Sequence, residues 1–511
     1  MFRPPYAAPL ASLALVLTAP LARAQTSAPA PARPGAPSAV APANAPQPTL
    51  APPPAPPGAT GPDAPVSKTT SALEEKLAAM QRGNGLTSDE AARRSVGASA
   101  NITEKRHSIE AAEATVNQVS AGLYPQLTLA ARYTRLSNVH LPDLRFTPTS
   151  PPIPASSIFP VYLNNYDLRA TLNVPLSDYV LRTSGSIAAA KHNKTSADLD
   201  RRATELSVAR DARVAYYQWI RAQGAYFVAE QALEAARGHL VDAKNSFQAG
   251  LSSKADVLRA ESQVKSSELT AQRFTDNVAI ATEQLRVMMG DGPEVNYEIG
   301  ENILIDPAPF ATPPSTNSAY AEAIEHRVEV QQLGESEASL RQQASALRAS
   351  DYPRLDGTAN LYDSNPNQRY IPPVNQFKPG WDVGVTLSWT PTNIFGTEAQ
   401  HAATLAQADV LASKKVELKN GLRIEVYQAM NALNEALFAL DSTRQGLAAA
   451  EESYRVRREL FRSGKATMIE VTDSETDLTR ARLEVVNAHV DLRIARVALD
   501  HALGRDAGAQ R

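Results

Sequence analysis

Apolar side chains recur along this chain at two spacings, seven residues and two, and the switch between them lays out the fold. Trp219, Tyr226, Leu233, Leu240 and Phe247 step by seven, and beyond a glycine Val257, Val264, Ala271, Val278 and Leu285 do the same. Displaced by 214 residues, 212–290 lies on 426–504 without a gap. The second copy reads Leu433, Leu440, Leu447, Tyr454, Phe461, then Val471, Leu478, Val485, Leu492, Leu499. A seven-residue step is the seam of helices that supercoil side by side. Gly250 and Gly464 part the two runs, and Gly290 and Gly504 end them. Glycine reaches the left-handed backbone that stops a helix at little cost. Each copy therefore predicts a helix, a tight turn and a returning helix, and a duplication this long sets the architecture.

Upstream of each copy the period changes to two. The change follows Tyr124-Pro125 and, in the second half, Tyr352-Pro353. Proline lacks an amide hydrogen and disfavours the α conformation in the residue before it, so both junctions end helices. Leu127, Leu129, Ala131 and Tyr133 then alternate with polar neighbours, as do Tyr166, Leu168, Ala170, Leu172 and Val174. The second pair is Leu355, Gly357, Ala359, Leu361 and Trp381, Val383, Val385, Leu387, Trp389. Four strands with one apolar and one polar face are predicted. Strands of about 9–11 residues cross a bilayer when tilted, and Tyr133, Tyr166, Trp381 and Trp389 are placed as interfacial aromatics. A soluble sandwich shows the same alternation. Here each strand pair lies between very long helices, with no further strands to stack on. The loop 137–165 holds six prolines, and its counterpart is about 13 residues shorter, as fits variable external loops.

Helices are predicted over 86–122, 178–249, 318–350 and 393–463, the longest near 70 residues or roughly 105 Å. Residues 1–24 read as a signal peptide: Arg3, an apolar run, then Ala22-Arg23-Ala24. Residues 25–67 are a proline- and alanine-rich arm that cannot bury a core. The organisation is then a first repeat at 68–290, a connector at 291–317, a second repeat at 318–504 and a tail at 505–511. The chain has no cysteine, which excludes disulfides, thiolate metal sites and a cysteine nucleophile. A formal charge of −3 gives no electrostatic case for nucleic acid. No histidine pair, nucleophile elbow or phosphate loop is present, so neither an enzyme nor a cofactor is expected.

Four strands are too few to close a barrel, and open edges are costly in hydrocarbon. Identical copies must therefore pool their strands. With these features the chain resembles the TolC-family outer-membrane efflux proteins over nearly all of its mature length. The resemblance rests on the duplicated halves, the Tyr-Pro junctions and the hairpin tips around Phe247-Gln248-Ala249-Gly250 and Phe461-Arg462-Ser463-Gly464. It implies a mainly α fold with a transmembrane β-barrel part, assembled as a homotrimeric α/β barrel. Its twelve strands would sit in outer-membrane lipid, and its long helices would extend through the periplasm. It further implies a periplasmic adaptor (membrane fusion) protein and an inner-membrane pump as partners of a passive duct.

The resemblance also assigns residues. Glu470 and Asp473 match the acidic positions of a periplasmic gate, while Thr467-x-x-Glu470 and Ser253-x-x-Asp256 also read as helix-capping boxes. Asp473 reads equally as a solvated helix residue. Gly250, Leu251, Ser252, Gly464 and Lys465 are the expected adaptor-contacting tips. Phe461 and Ala466 stand where the family carries a tyrosine and an arginine that pin the tips shut, which leaves Asp256 with Arg462 for tip closure. A periplasmic tether with helical hairpins, and the outlet of a polypeptide (type I) secretion system, are the alternative readings.

Overall fold

The computed structural model of the protein describes residues 85–507, apart from 140–141, 146, 159, 251 and 304–314. The expected signal peptide, the arm and Leu251 lie outside the described residues. In chain order the elements are α1 (Ser88–Ala98), α2 (Ala100–Ser120), β1 (Gln126–Arg135), β2 (Asn164–Val174), α3 (Ser184–Gln248) and α4 (Lys254–Met289). The second half repeats them as α5 (Thr316–His326), α6 (Val328–Arg348), β3 (Arg354–Asn365), β4 (Lys378–Ser388), α7 (Ile394–Arg462) and α8 (Met468–Ala502). At 65 and 69 residues, α3 and α7 run about 100 Å each. No described helix is long and apolar enough to cross a membrane.

The four strands form one antiparallel sheet in the order β1-β2-β3-β4, so each repeat supplies one half. Below the sheet, α3 and α7 serve as rails along which shorter helices sit end to end. Near the sheet α2 packs on α3, and α6 lies between α3 and α7; nearer the tips α4 packs on α3 and α8 on both rails. The four tip and end glycines have φ between 69° and 73°, the left-handed stop that the spacing predicts.

Three expectations change. The helix expected over 86–122 breaks at Ser99, and Leu86 instead exchanges backbone hydrogen bonds with Glu298 and Gly300 of the connector. The helix expected over 318–350 breaks at Arg327, whose guanidinium is drawn inward to Glu329, Glu425 and the carbonyl of His501. The seam expected on α3 is also incomplete. Trp219 is buried, Tyr226, Leu233 and Leu240 are half-buried, and Phe247 is 43% exposed. Because α3 is held between α4 and α8, its burial is shared between two seams, and Ala225, Val228, Ala236 and Ala243 fill the second. In α8 every one of the five heptad positions is buried.

An aromatic-rich part of the core lies midway along α3. There Tyr216, Tyr217 and Trp219 of α3 meet Leu285 and Met289 of α4, Leu86 and Ile303.

Candidate functional site

Register decides what the sheet presents. Directly opposed pairs include Leu127 with Leu172, Leu129 with Ala170, Ala359 with Val383 and Leu361 with Trp381. One face is thus apolar across all four strands, and it lies bare: Val383, Val385 and Leu387 are each about two-thirds exposed or more. A soluble sandwich would have covered it. The other face is polar and knitted together. Thr171 donates to Asn360 at 2.7 Å, Asn360 to Asp382 at 2.8 Å, and Ser364 to Asp167 at 2.6 Å. Tyr362, on the same face, lies beneath the guanidiniums of Arg169 and Arg369 and over Gly380, where a side chain would collide with its ring.

Three of the four aromatics picked from the sequence fall at the ends of the sheet. Tyr133 and Tyr166 are opposed at the loop end with ring centroids 5.2 Å apart, and Phe377 joins them. Trp381 lies opposite Leu361, four residues nearer the helix end than that row, while Trp389 marks the helix end and donates its indole hydrogen to the Asp351 carbonyl at 3.0 Å. Exposed Tyr124 and Tyr352, read only as junction markers, complete that lower belt. Eight residues part Trp381 from Trp389, about 27 Å along a strand and less once tilted. That suits the roughly 25 Å apolar band of membrane barrels. Along β1 and β4 the outer backbone edges pair with no other strand among the described residues.

At the far end of the helices both returning arms begin with a complete capping box. Ser253 accepts from the Asp256 amide at 3.2 Å, and Asp256 accepts from the Ser253 amide at 3.0 Å. Thr467 and Glu470 do the same with longer bonds. The Ser253 hydroxyl and amide hold the Asp256 carboxyl below its ordinary range. A carboxyl that titrates lower folded than unfolded stabilises at neutral pH, and its contribution disappears as pH falls through the depressed value. Hydrogen exchange across 253–257 should therefore stay protected down to the ordinary aspartate range and rise only below it. Ser253→Ala should remove about 1 kcal/mol of that local protection at neutral pH.

Glu470 has a second partner that the sequence did not suggest. Arg457, on the last turns of α7, reaches across the tip to its carboxylate. Hydrogen bonds from Thr467, then Arg457, keep the Glu470 carboxyl charged to unusually low pH. Asp473 is exposed and has no hydrogen bond or ion pair among the described residues. Arg462 and Lys465 are exposed on either side of Gly464, and no bond joins Arg462 to Asp256 within one chain. Behind the tips, α4 and α8 flank a groove of about 330 Å³ over Ala229 and Ala232, walled by Ser266, Ser267, Thr270, Thr476 and Thr479.

One buried polar cluster escaped the sequence altogether. His239 of α3 points its Nε2 at Glu475 of α8, 3.1 Å away, and at the Tyr454 hydroxyl of α7, 3.2 Å away. Burial, reinforced by Glu475, raises the Tyr454 hydroxyl above its usual range, so it remains a neutral hydrogen-bonding group.

Compared with known proteins, the chain matches the family model described as outer membrane efflux protein over 93–291 and 319–505, the two repeats. The toluene efflux pump outer membrane protein TtgC of Pseudomonas putida is 20% identical over 309 residues, which are 60% of this chain. That match spans 63% of the relative, just under two thirds of its length. Outer membrane protein TolC of Escherichia coli is 23% identical over 407 residues, 77% of each chain. The crystal structure of the Campylobacter jejuni CmeC outer membrane channel shares the fold, with a TM-score of 0.66 at 14% identity over 85% of this chain and 86% of that one.

Proposed function

This chain belongs to the outer membrane efflux protein family, and on that footing we propose that it is a passive exit duct of the outer membrane. Three copies would join their sheets into one twelve-stranded barrel. The observation that carries this reading is the sheet itself: bare and apolar outside, hydrogen-bonded and polar inside, with both edges open. Such a sheet fails in water, because it exposes its apolar face. Alone in lipid it also fails, because its edge amides and carbonyls go unpaired. Closure with identical neighbours satisfies both demands.

The helices continue the barrel through the periplasm, and the hairpin tips form its gated end. Gly250, Ser252, Gly464 and Lys465 would meet an adaptor there, and the groove between α4 and α8 suits an adaptor helix, since its alanine floor allows close approach. An inner-membrane pump would supply the energy. The discriminating measurement is the mass of the detergent-extracted outer-membrane protein. Three chains per particle support the duct, whereas a soluble periplasmic monomer would return the tether reading to first place.

At the gate, Asp473 and Glu470 are unequal. Glu470 is engaged by its cap and by Arg457, whereas Asp473 is free to act on a passing ion. In planar bilayers, Asp473→Asn should weaken cation preference more than Glu470→Gln does. An equal response to both changes, or none, would remove the carboxylate gate.

A further inference from the structure

The three side chains of the His239 cluster come from three helices and both hairpins. His239 lies eleven residues before Gly250 on α3, Tyr454 ten before Gly464 on α7, and Glu475 eleven after Gly464 on α8. His239 is 6% exposed and Glu475 is 7% exposed, so the pair sits in a buried seam just behind the tips, where Glu475 also lines the groove between α4 and α8. A second rung crosses the same three helices farther from the tips. There Arg482 of α8 donates to Gln231 of α3 at 3.2 Å and lies 4.0 Å from Glu451 of α7.

The duplication does not repeat the cluster. Carried over by the repeat offset, His239 corresponds to Ser453, Tyr454 to Leu240, and Glu475 to Glu261. Ser453 is exposed, Leu240 is half-buried, and Glu261 lies on the surface beside Lys244. The cluster occurs where the two hairpins of one chain meet, and the corresponding Ser453 and Glu261 face no second hairpin within the chain.

We propose that the His239–Glu475–Tyr454 cluster is a latch between the two hairpins, and that opening of the periplasmic end requires it to part. The proposal rests on the duct reading above. A buried carboxylate and imidazole stabilise each other only while they meet, and each becomes an unpaired polar group if the helices separate by a small amount. Intermediate separations are therefore the least favourable, and the hairpins are either closed with the pair made or apart with both groups in water. This gives the tips a two-state closure that does not use the tyrosine and arginine positions now held by Phe461 and Ala466.

The test is conductance of the assembled protein in planar bilayers. Glu475→Gln should keep the oligomeric mass and raise the time-averaged conductance by about tenfold or more, since losing one buried partner shifts the closed-to-open balance. The chain has no native cysteine, so His239→Cys with Glu475→Cys can be bridged by a reducible bis-methanethiosulfonate. The bridged pore should stay at the low parental conductance until reductant releases it. Parental conductance in Glu475→Gln, or a bridged form that opens as freely as the reduced one, would overturn the latch while leaving the duct intact. Should Glu475→Gln fail to assemble, the bridged and reduced states of the cysteine pair decide alone. A parent protein that inserts but conducts under no condition would sink the duct reading, and the latch with it.

Discussion

Val385→Arg should abolish the assembled form of this protein, whereas Thr386→Arg, one residue along, should leave it intact. Val385 lies midway between Trp381 and Trp389 on the bare apolar face and is 67% exposed. An arginine on the lipid face of a barrel near the bilayer midplane costs about 2–4 kcal/mol. Three-fold assembly would impose that cost three times on one barrel. Thr386 points to the polar face, opposite Asp356, where a guanidinium remains in water. Size-exclusion of the detergent extract, alongside the membrane fraction recovered, reads the difference. Equal assembly of the two variants would mean that the apolar face does not meet lipid.

Trp219→Ala is the largest effect expected away from the sheet. The indole is 1% exposed, packs near Tyr216 and Tyr297, and donates to Thr282 Oγ1 at 3.1 Å. It joins α3, α4 and the connector in the aromatic cluster midway along α3. Truncating a buried tryptophan removes about 3–5 kcal/mol. The expected outcome is a clear fall in Tm, with early proteolysis near the connector. Trp219→Phe keeps most of the packing and forgoes one hydrogen bond, so it should cost about 1 kcal/mol. A Tm unchanged in Trp219→Ala would show that the midsection does not carry the stability of the helical part.

Much of this architecture was legible because its signals are local. Heptad and alternating periods report how each segment is buried, and Gly250, Gly290, Gly464 and Gly504 mark turns that their own backbone enforces. Tyr-Pro marks where α becomes β for an equally local reason. The features that escaped depend on partners far along the chain. Nothing beside Arg327 announces a helix break, because the break follows from Glu425 and the His501 carbonyl. Burial of Trp219 without Phe247 follows from α3 having two neighbours, which no single-helix pattern encodes. At the candidate site, the capping residues Thr467 and Glu470 were readable from their spacing. The Arg457 ion pair and the His239–Glu475 meeting were not, since each needs the hairpins to be folded first.

The rung of Thr171, Asn360 and Asp382 spans three neighbouring strands across the polar face. A wall cross-braced from within resists stretching around its circumference. In the proposed barrel the outer segment would therefore have a fixed bore, and this ring would set the widest body that can leave.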